Sequence, residues 1–493
     1  MNPVVRYGDW APERGGWLFG LSGPAWVLTV LSASPLLLAI SASNWGAAAL
    51  CLLGWLTVVT GIGVPVRGRV TAKWLRDVAL HQIGGSMGWS SWRSSAAAGQ
   101  AGEQADLPGV LAGIRVHDGP PFGPMLRRPA LVQDLAARTW CVVARISHPG
   151  IGMAEAGTRE RMGEGLAGLL EGAMTADLVS VIALHVRTVP DDGSERAAWQ
   201  RSNLRRSAPA LALQIDRELS AGVLATGVRT ETYVSVRVED RKIARQVKSA
   251  GGGIDGTARV LASLMNELEA GLMGAIGCTQ VEWLESPTLA AVIRTGFAPG
   301  DRAGLNDQAT AFPISAAGPT HAPAPGWRSY THDAWSSVTS ALLLPQRGAV
   351  MGALAPVLTP TSIGERRCVT IFFAPIQAQH ADRLVGRAAM SSTSAAEVRH
   401  RLGFTSRAAH HRDASRVADT DAQLAGGRAL VRTAAVACVT VPSTWPVEDH
   451  GRRLEASVRA AGFTALRLDL AQDSGFAAAA IPLGIGLPGR SLL

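Results

Sequence analysis

Between Arg14 and Arg67 the chain carries no Asp, Glu, Lys, Arg or His. The uncharged stretch divides into two apolar runs, 17–42 and 45–64, around Ser43-Asn44. An apolar helix needs about 20 residues to cross roughly 30 Å of hydrocarbon, and each run is about that long. In lipid the backbone satisfies its own hydrogen bonds, so two helices joined by a short polar turn are the natural solution. The pattern predicts a transmembrane hairpin over 17–64. A signal peptide fits less well: the first run exceeds an ordinary h-region, Asp9 and Glu13 offset the basic residues before it, and a second run follows at once. A buried hairpin of a soluble core would rarely stay uncharged for so long. Pro24 and Pro35 weaken the first helix, but membrane helices tolerate proline where neighbours re-satisfy the freed carbonyl.

The flanks set the orientation. Arg67, Arg69, Lys73 and Arg76 follow the hairpin, Arg6 and Arg14 precede it, and its turn is uncharged. Basic residues stay on the cytoplasmic side, so both termini are expected in the cytoplasm of a multi-pass inner-membrane protein. Trp17, Trp45 and Trp74 fall where an interfacial aromatic belt would lie. Together with Arg67, Arg69, Lys73 and Arg76 they form the predicted membrane interface. From Val66 to His81 apolar and basic residues interleave as in a helix lying at the headgroups.

The net charge is +8, and with lysine only at 73, 242 and 248 it is almost all arginine. Part of that bias reflects a GC-rich coding sequence, as the many Ala and Gly do. The remainder suits a protein held against an anionic leaflet. No arginine–aromatic interleaving points to sequence-specific nucleic-acid readout. The five cysteines, Cys51, Cys141, Cys278, Cys368 and Cys438, have no paired spacing. They predict neither a disulfide framework nor a zinc site, and four of them sit in strand-like runs as small buried side chains.

Beyond the hairpin, strand and helix patterns alternate. Strands are expected at 140–146, 178–186, 232–238 and 278–284, with helices at 154–174, 211–224 and around 260–268. A further helix opens at Ser286-Pro287, with serine as N-cap and proline at the first turn. After a proline-rich stretch the order restarts: strand 334–344, helix 348–357, strand 368–373, helix 378–424 interrupted near 391–394, strand 430–441, helix 446–461 and strand 465–468. Alternation of this kind gives an α/β (α+β) fold, a sheet covered by helices, most simply of split β-α-β, ferredoxin-like units. The expected organisation is a leader at 1–16, the hairpin at 17–64, a basic helix and flexible linker at 65–106, a first cytoplasmic domain at 107–298, a Pro-rich linker at 299–328 and a second domain at 329–493. The repeated order suggests two similar halves, although no sequence repeat is visible.

Motifs for catalysis are missing. None of the three lysines follows a glycine, so there is no P-loop. Gly251-Gly252-Gly253 before a helix reads as a hinge more than as an anion cradle. His400, His410 and His411 lack the spacing of a metal site. Adjacent His332 and Asp333 cannot alone make an acid–base dyad. No cofactor is expected.

One resemblance does extend along the chain. Asp413, Arg416 and Asp419 lead into Gln423-Leu-Ala-Gly-Gly-Arg-Ala-Leu-Val431, and Gln472-Asp-Ser-Gly-Phe476 precedes Pro482-Leu483-Gly484. These elements resemble the end of the amino-terminal, non-ATPase domain of TraC-type type IV secretion ATPases. Arg6-Tyr-Gly-Asp-Trp10 and the hairpin resemble the small PrgI-type membrane subunit of the same systems. Together they are similar to an actinobacterial family of two-span membrane proteins from mobile-element transfer loci. The resemblance implies a non-enzymatic inner-membrane scaffold of a conjugative or type IV secretion apparatus, in a larger membrane complex, with a separate motor ATPase as partner. On that reading Gln472, Phe476, Pro482, Leu483 and Gly484 are the expected partner-binding surface. A membrane component of a type VII-like machine and a membrane-bound enzyme are the other readings. The proline-rich stretch has no place in the resemblance.

Overall fold

The computed structural model describes residues 23–66, 69–100, 102–152, 154–175, 177–190, 193–205, 207–224, 228–308, 312–345, 348–401 and 408–485. Trp17 and Arg67 lie outside them. Residues 23–89 belong to one unit and residues 90–485 to another.

In the first unit α1 (Gly23–Ser41) and α2 (Trp45–Gly63) fold back on each other, and Trp55 Nε1 donates to Thr29 O at 3.1 Å. Ser43 takes the left-handed conformation of the turn, and the Asn44 side chain caps α2 by accepting from Ala47 N at 3.2 Å. The hydroxyls of Ser32, Ser34, Ser41 and Thr57 all donate to backbone carbonyls one turn earlier, so they need no water. Leu28, Leu31, Leu38, Leu50, Leu53 and Leu56 point outward. Among the described residues one helix, Trp45–Gly63, is long and apolar enough to cross a membrane. Two short strands, β1 (Pro65–Val66) and β2 (Arg69–Val70), pair with each other before α3 (Thr71–Ser86). The amphipathic helix therefore starts later than the pattern from Val66 predicts, because Thr71 turns back to donate from N and Oγ1 to Val64 O.

The second unit begins with a segment that is pinned rather than flexible. Its strand β3 (Trp92–Arg93) pairs with residues 321–322, and Asp106 accepts from Ser94 Oγ and Ser95 N. Then come β4 (Ile114–Asp118), β5 (Ala130–Asp134), β6 (Thr139–Ser147), α4 (Ala156–Thr175), β7 (Val179–Pro190), the helices α5 (Ser194–Asn203) and α6 (Ala210–Leu224), β8 (Val228–Glu239), α7 (Asp240–Ser249), α8 (Gly253–Gly271), β9 (Gln280–Trp283) and α9 (Ser286–Phe297). Ser286 does not cap α9 as its position predicts; its hydroxyl donates to Asp118 Oδ1 at 2.5 Å. Gly251, Gly252 and Gly253 all have positive φ, which makes them the tight joint between α7 and α8.

The proline-rich stretch is packed, not a free linker. It holds α10 (Arg302–Gln308) and β10 (His321–Ala322), and Ala317 and Ala322 are buried. The chain continues through β11 (Tyr330–His332), β12 (Trp335–Leu343), α11 (Ala355–Leu358), β13 (Arg366–Pro375), α12 (Ala378–Arg401), α13 (Ala408–Ala425), β14 (Val431–Pro442), α14 (Val447–Ala460), β15 (Thr464–Arg467) and α15 (Gln472–Ala480). The helix expected over 348–357 shrinks to one turn, and α12 runs through 391–394 without interruption.

The fold is mixed helix and sheet, with eleven strands in one sheet ordered β11-β12-β14-β13-β7-β8-β6-β5-β4. β9 adds to the outer edge of β6 and β15 to the outer edge of β12, and every pairing is antiparallel. Read from the outside in, the first half runs β9-β6-β8-β7 and the second β15-β12-β14-β13, which is the same split β-α-β order twice. The two halves expected as separate domains are thus one sheet, joined by seven residue pairs between β7 and β13. The correspondence extends to the helix after the last strand (α9, α15) and the two-helix insertion after the second (α5–α6, α12–α13).

Alternation along the strands sorts the core. One face carries Val142, Ala144, Val234, Val236, Val338, Val369, Ala437 and Val439 against α4, α8 and α14, the ordinary apolar packing of helices on a sheet. The other face presents Cys141, His185, Arg187, Tyr233, Ser235, Arg237, Ser337, Arg366, Thr370 and Thr440. Cys141, Cys278, Cys368 and Cys438 are buried, as expected, and burial pushes the Cys141 thiol up to about 12 and Cys438 to about 11.

Candidate functional site

A helix leaves its last carbonyls without intrahelical partners, and inside a protein those groups must be satisfied. The polar face of the sheet does this for α9. Arg366 donates to Thr295 O and Gly296 O at 2.6 and 2.7 Å, and Arg187 Nη1 reaches Val292 O, one turn earlier, at 3.1 Å. His332 Nδ1 donates to Phe297 O at 2.6 Å. The negative end of the helix dipole supplies what two buried guanidiniums require.

The carboxylate beside Arg187 is Glu231. Arg187 Nε lies 2.5 Å from it, Arg302 Nε 3.2 Å and Arg229 Nε 3.9 Å. Burial alone would raise this carboxyl, but the surrounding guanidiniums, Arg187 first, outweigh it and hold the group down at about 2. Tyr233 lies beneath Arg187 at 5.2 Å and donates its hydroxyl to Glu231. Burial, reinforced by Arg187 and Arg366, keeps His185 neutral, and burial with Arg366 brings His332 down to about 3.

The end of α15 meets the same face. Thr370 Oγ1 donates to Ala479 O at 3.1 Å. Beyond the helix, Ser235 Oγ donates to Pro482 O at 2.5 Å and Arg237 Nη1 to Gly484 O at 3.3 Å. Gly296 lies so close to α15 that a Cβ there would overlap the tip of the Ile481 side chain and crowd Ala480 O. The two helix ends touch and their chains then cross: α9 ends on His332 of the second half, and the segment after α15 ends on Ser235 and Arg237 of the first. The chemistry of this seam is clamping, with each cation set against a carbonyl or carboxylate.

The expected partner-binding residues fall inside this seam. Gln472 is fully buried and pairs by both amide atoms with the backbone of Thr339, while Phe476 packs against Phe297, Tyr330 and His332. Pro482, Leu483 and Gly484 are buried as well. These five residues are corrected from a docking surface to core and clamp. An apolar pattern at the end of a sheet is the same for both roles, and only burial separates them.

Of the membrane-interface residues, Trp45 is exposed at the start of α2, and Lys73, Trp74 and Arg76 lie on α3 with Arg76 paired to Asp77 at 3.0 Å. Arg69 is in β2. His332 and Asp333 part ways: His332 enters the seam, and Asp333 accepts from Thr320 N and His321 N and pairs with Arg294. Among the described residues no group of three or more His, Cys, Asp or Glu is arranged to hold a metal ion. The seam residues Arg187, Glu231, Arg237 and Arg366 were not singled out by sequence; the one available signal was charge inside otherwise apolar strands. No family model matches the chain, and no curated protein matches it.

Proposed function

We propose that this chain is a non-enzymatic scaffold of a conjugative, type IV secretion-like apparatus, anchored in the inner membrane by the α1–α2 hairpin and docking a separate motor ATPase from the cytoplasm. The observation that carries the anchor is the hairpin surface: outward leucines, with serine and threonine hydroxyls spent on the helices' own carbonyls. Both α1 and α2 span the bilayer in this reading, and the basic residues flanking them stay inside. Support for a scaffold comes from the duplicated sheet, whose seam cations Arg187, Arg366 and Arg237 are committed to holding α9 and the segment after α15. The motor docks on the outer surface of the sheet unit, since the segment 472–484 is interior.

The test is capture from membranes. The tagged full chain is expected to resist alkaline carbonate extraction, to co-purify with the ATPase encoded beside it, and to hydrolyse no ATP by itself. Release by carbonate overturns the anchor. Failure to retain any motor ATPase of its locus, or ATP turnover that persists after contaminating ATPases are removed, overturns the scaffold.

A further inference from the structure

We propose that the tip of the β4–β5 loop and the guanidinium of Arg145 form the surface on which the motor ATPase docks, through an apolar pocket beside one carboxylate of the motor. The inference rests on the scaffold reading above and adds where the partner sits and what chemistry it offers.

Arg145 is a cation left over. It lies half-buried on the polar face of β6, directly between Tyr233 of β8 and Glu282 of β9. The flanking carboxylates are taken: Glu231 by Arg187, and Glu282, although it stands opposite Arg145, by Arg127. Among the described residues nothing pairs with Arg145, and its Nε is closed to water without a hydrogen-bond partner. A guanidinium that is partly desolvated and unpaired is stabilised by an anion brought to its open side.

The second half shows that the fold does not need this charge. Leu284 N closes the first half on Val143 O and Leu468 N the second on Thr339 O, so two residues further on Arg145 has Ala341 as its counterpart. Ala341 lies between Val436 and Leu466, where Arg145 lies between Tyr233 and Glu282. The same place in the sheet is closed by apolar side chains in one half and left charged in the other.

Through Glu282, Arg127 ties this position to the β4–β5 loop. At the tip of the loop Met125 and Leu126 are 76% and 70% exposed. They are held stiffly. Phe122 N donates to Arg127 O at 2.8 Å, Leu126 N to Gly123 O at 3.1 Å and Arg128 N to Glu285 Oε1 at 3.3 Å, and Pro120, Pro121 and Pro124 restrict the backbone further. Leu126 has φ +51°, a left-handed conformation that a bulky side chain adopts under strain. A rigid loop that bears strain while holding two large apolar side chains in water is preorganised to fill a pocket.

Charge selects the occupant. At the base of the loop Asp118, Glu282 and Glu285 offset Arg127 and Arg128. A rim balanced in this way makes no field for a phospholipid layer or a nucleic-acid backbone, both of which need an excess of basic residues. The one unmatched charge calls for one carboxylate. Beside Met125 and Leu126 that describes a protein surface, an apolar pocket with Asp or Glu at its edge.

The experiment titrates the full chain in nanodiscs with the purified ATPase encoded beside it. Leu126→Gly suits the left-handed backbone and removes the anchor, and Arg145→Ala copies the second half. Each is expected to weaken binding about tenfold with no fall in melting temperature, and Arg145→Ala to flatten the salt dependence as well. Wild-type affinity in either variant overturns the inference. So does a lower melting temperature in either, which would make that side chain part of the fold. If the wild-type chain does not bind the ATPase, the scaffold reading has failed. A photo-crosslinker in place of Met125, activated in native membranes, then tests the surface alone. It stands if the tip joins one protein, identified by mass spectrometry, in a yield that Arg145→Ala abolishes. It falls if that yield is unchanged, or if the tip joins lipid, a second copy of this chain or nothing.

Discussion

His185 and Thr370 stand directly opposite each other on β7 and β13, with Nδ1 of the histidine 2.6 Å from the threonine hydroxyl. They are also equivalent residues of the two halves. Leu284 N closes the first half on Val143 O, and Leu468 N closes the second on Thr339 O. Across the ladders Val143 faces Ser235, which faces Ala183; Thr339 faces Cys438, which faces Cys368. Two residues further along β7 and β13 are His185 and Thr370, so the local two-fold axis of the sheet passes between them. Because the threonine gives its proton to Ala479 O, His185 donates from Nδ1, and Nε2 is left without a partner.

Acid should loosen the seam through its histidines. His332 is held at about 3 in the folded protein against 6.5 when free, so from about pH 6.5 down to about 3 only the unfolded chain takes up this proton. Its contribution is whole above pH 6.5 and is lost as pH falls towards 3, at about 1.4 kcal/mol per pH unit. Denaturant titrations across this range should give a shallower pH dependence for His332→Gln, by one proton. An unchanged slope would place His332 in contact with water.

The Arg187–Glu231 pair should be expensive to break. Arg187→Met removes the nearest cation from a buried carboxylate, and a loss of about 3–5 kcal/mol is expected in equilibrium unfolding. Glu231, held at about 2, gives stability that is complete above about pH 4.5 and lost as pH falls through 2. That acid limb should contract in the variant; a limb of full size would mean that Arg302 and Arg229 suffice.

Phe476 separates core from docking surface. Between centroids its ring lies 4.3 Å from His332, 5.3 Å from Phe297 and 5.4 Å from Tyr330. Phe476→Ala should cost about 3–5 kcal/mol and lower the melting temperature. Lost ATPase capture with an unchanged melting temperature would return this residue to the interface.

For the hairpin, a cysteine placed at Asn44 should react with an impermeant maleimide in intact cells. Reaction only after lysis would reverse the topology argued from the flanking arginines.

How far the sequence alone could lead follows from the range of each signal. The apolar runs give α2 directly, and strands 140–146 and 430–441 return as β6 and β14 nearly to the residue, while 232–238 is the buried part of a β8 that starts four residues earlier, because alternation and burial on one face are written locally. The split β-α-β order of each half was equally legible, as was the burial of the four cysteines. Short elements escaped: β4, β5, β11 and α15 carry few residues, and alanine-rich α15 has no polar face to mark a period.

What only the tertiary structure decided is where charge goes. Arg187 and Arg366 look like surface residues in a strand, yet their partners are the carbonyls of a helix about a hundred positions away in one case and seventy in the other, so no local window holds the pair. The same distance hides the join of β7 to β13, which makes one sheet of two similar halves. It also explains why Gln472 and Phe476 read as a surface: a residue pattern records that a side chain is apolar or amide, and burial depends on what the rest of the chain lays over it.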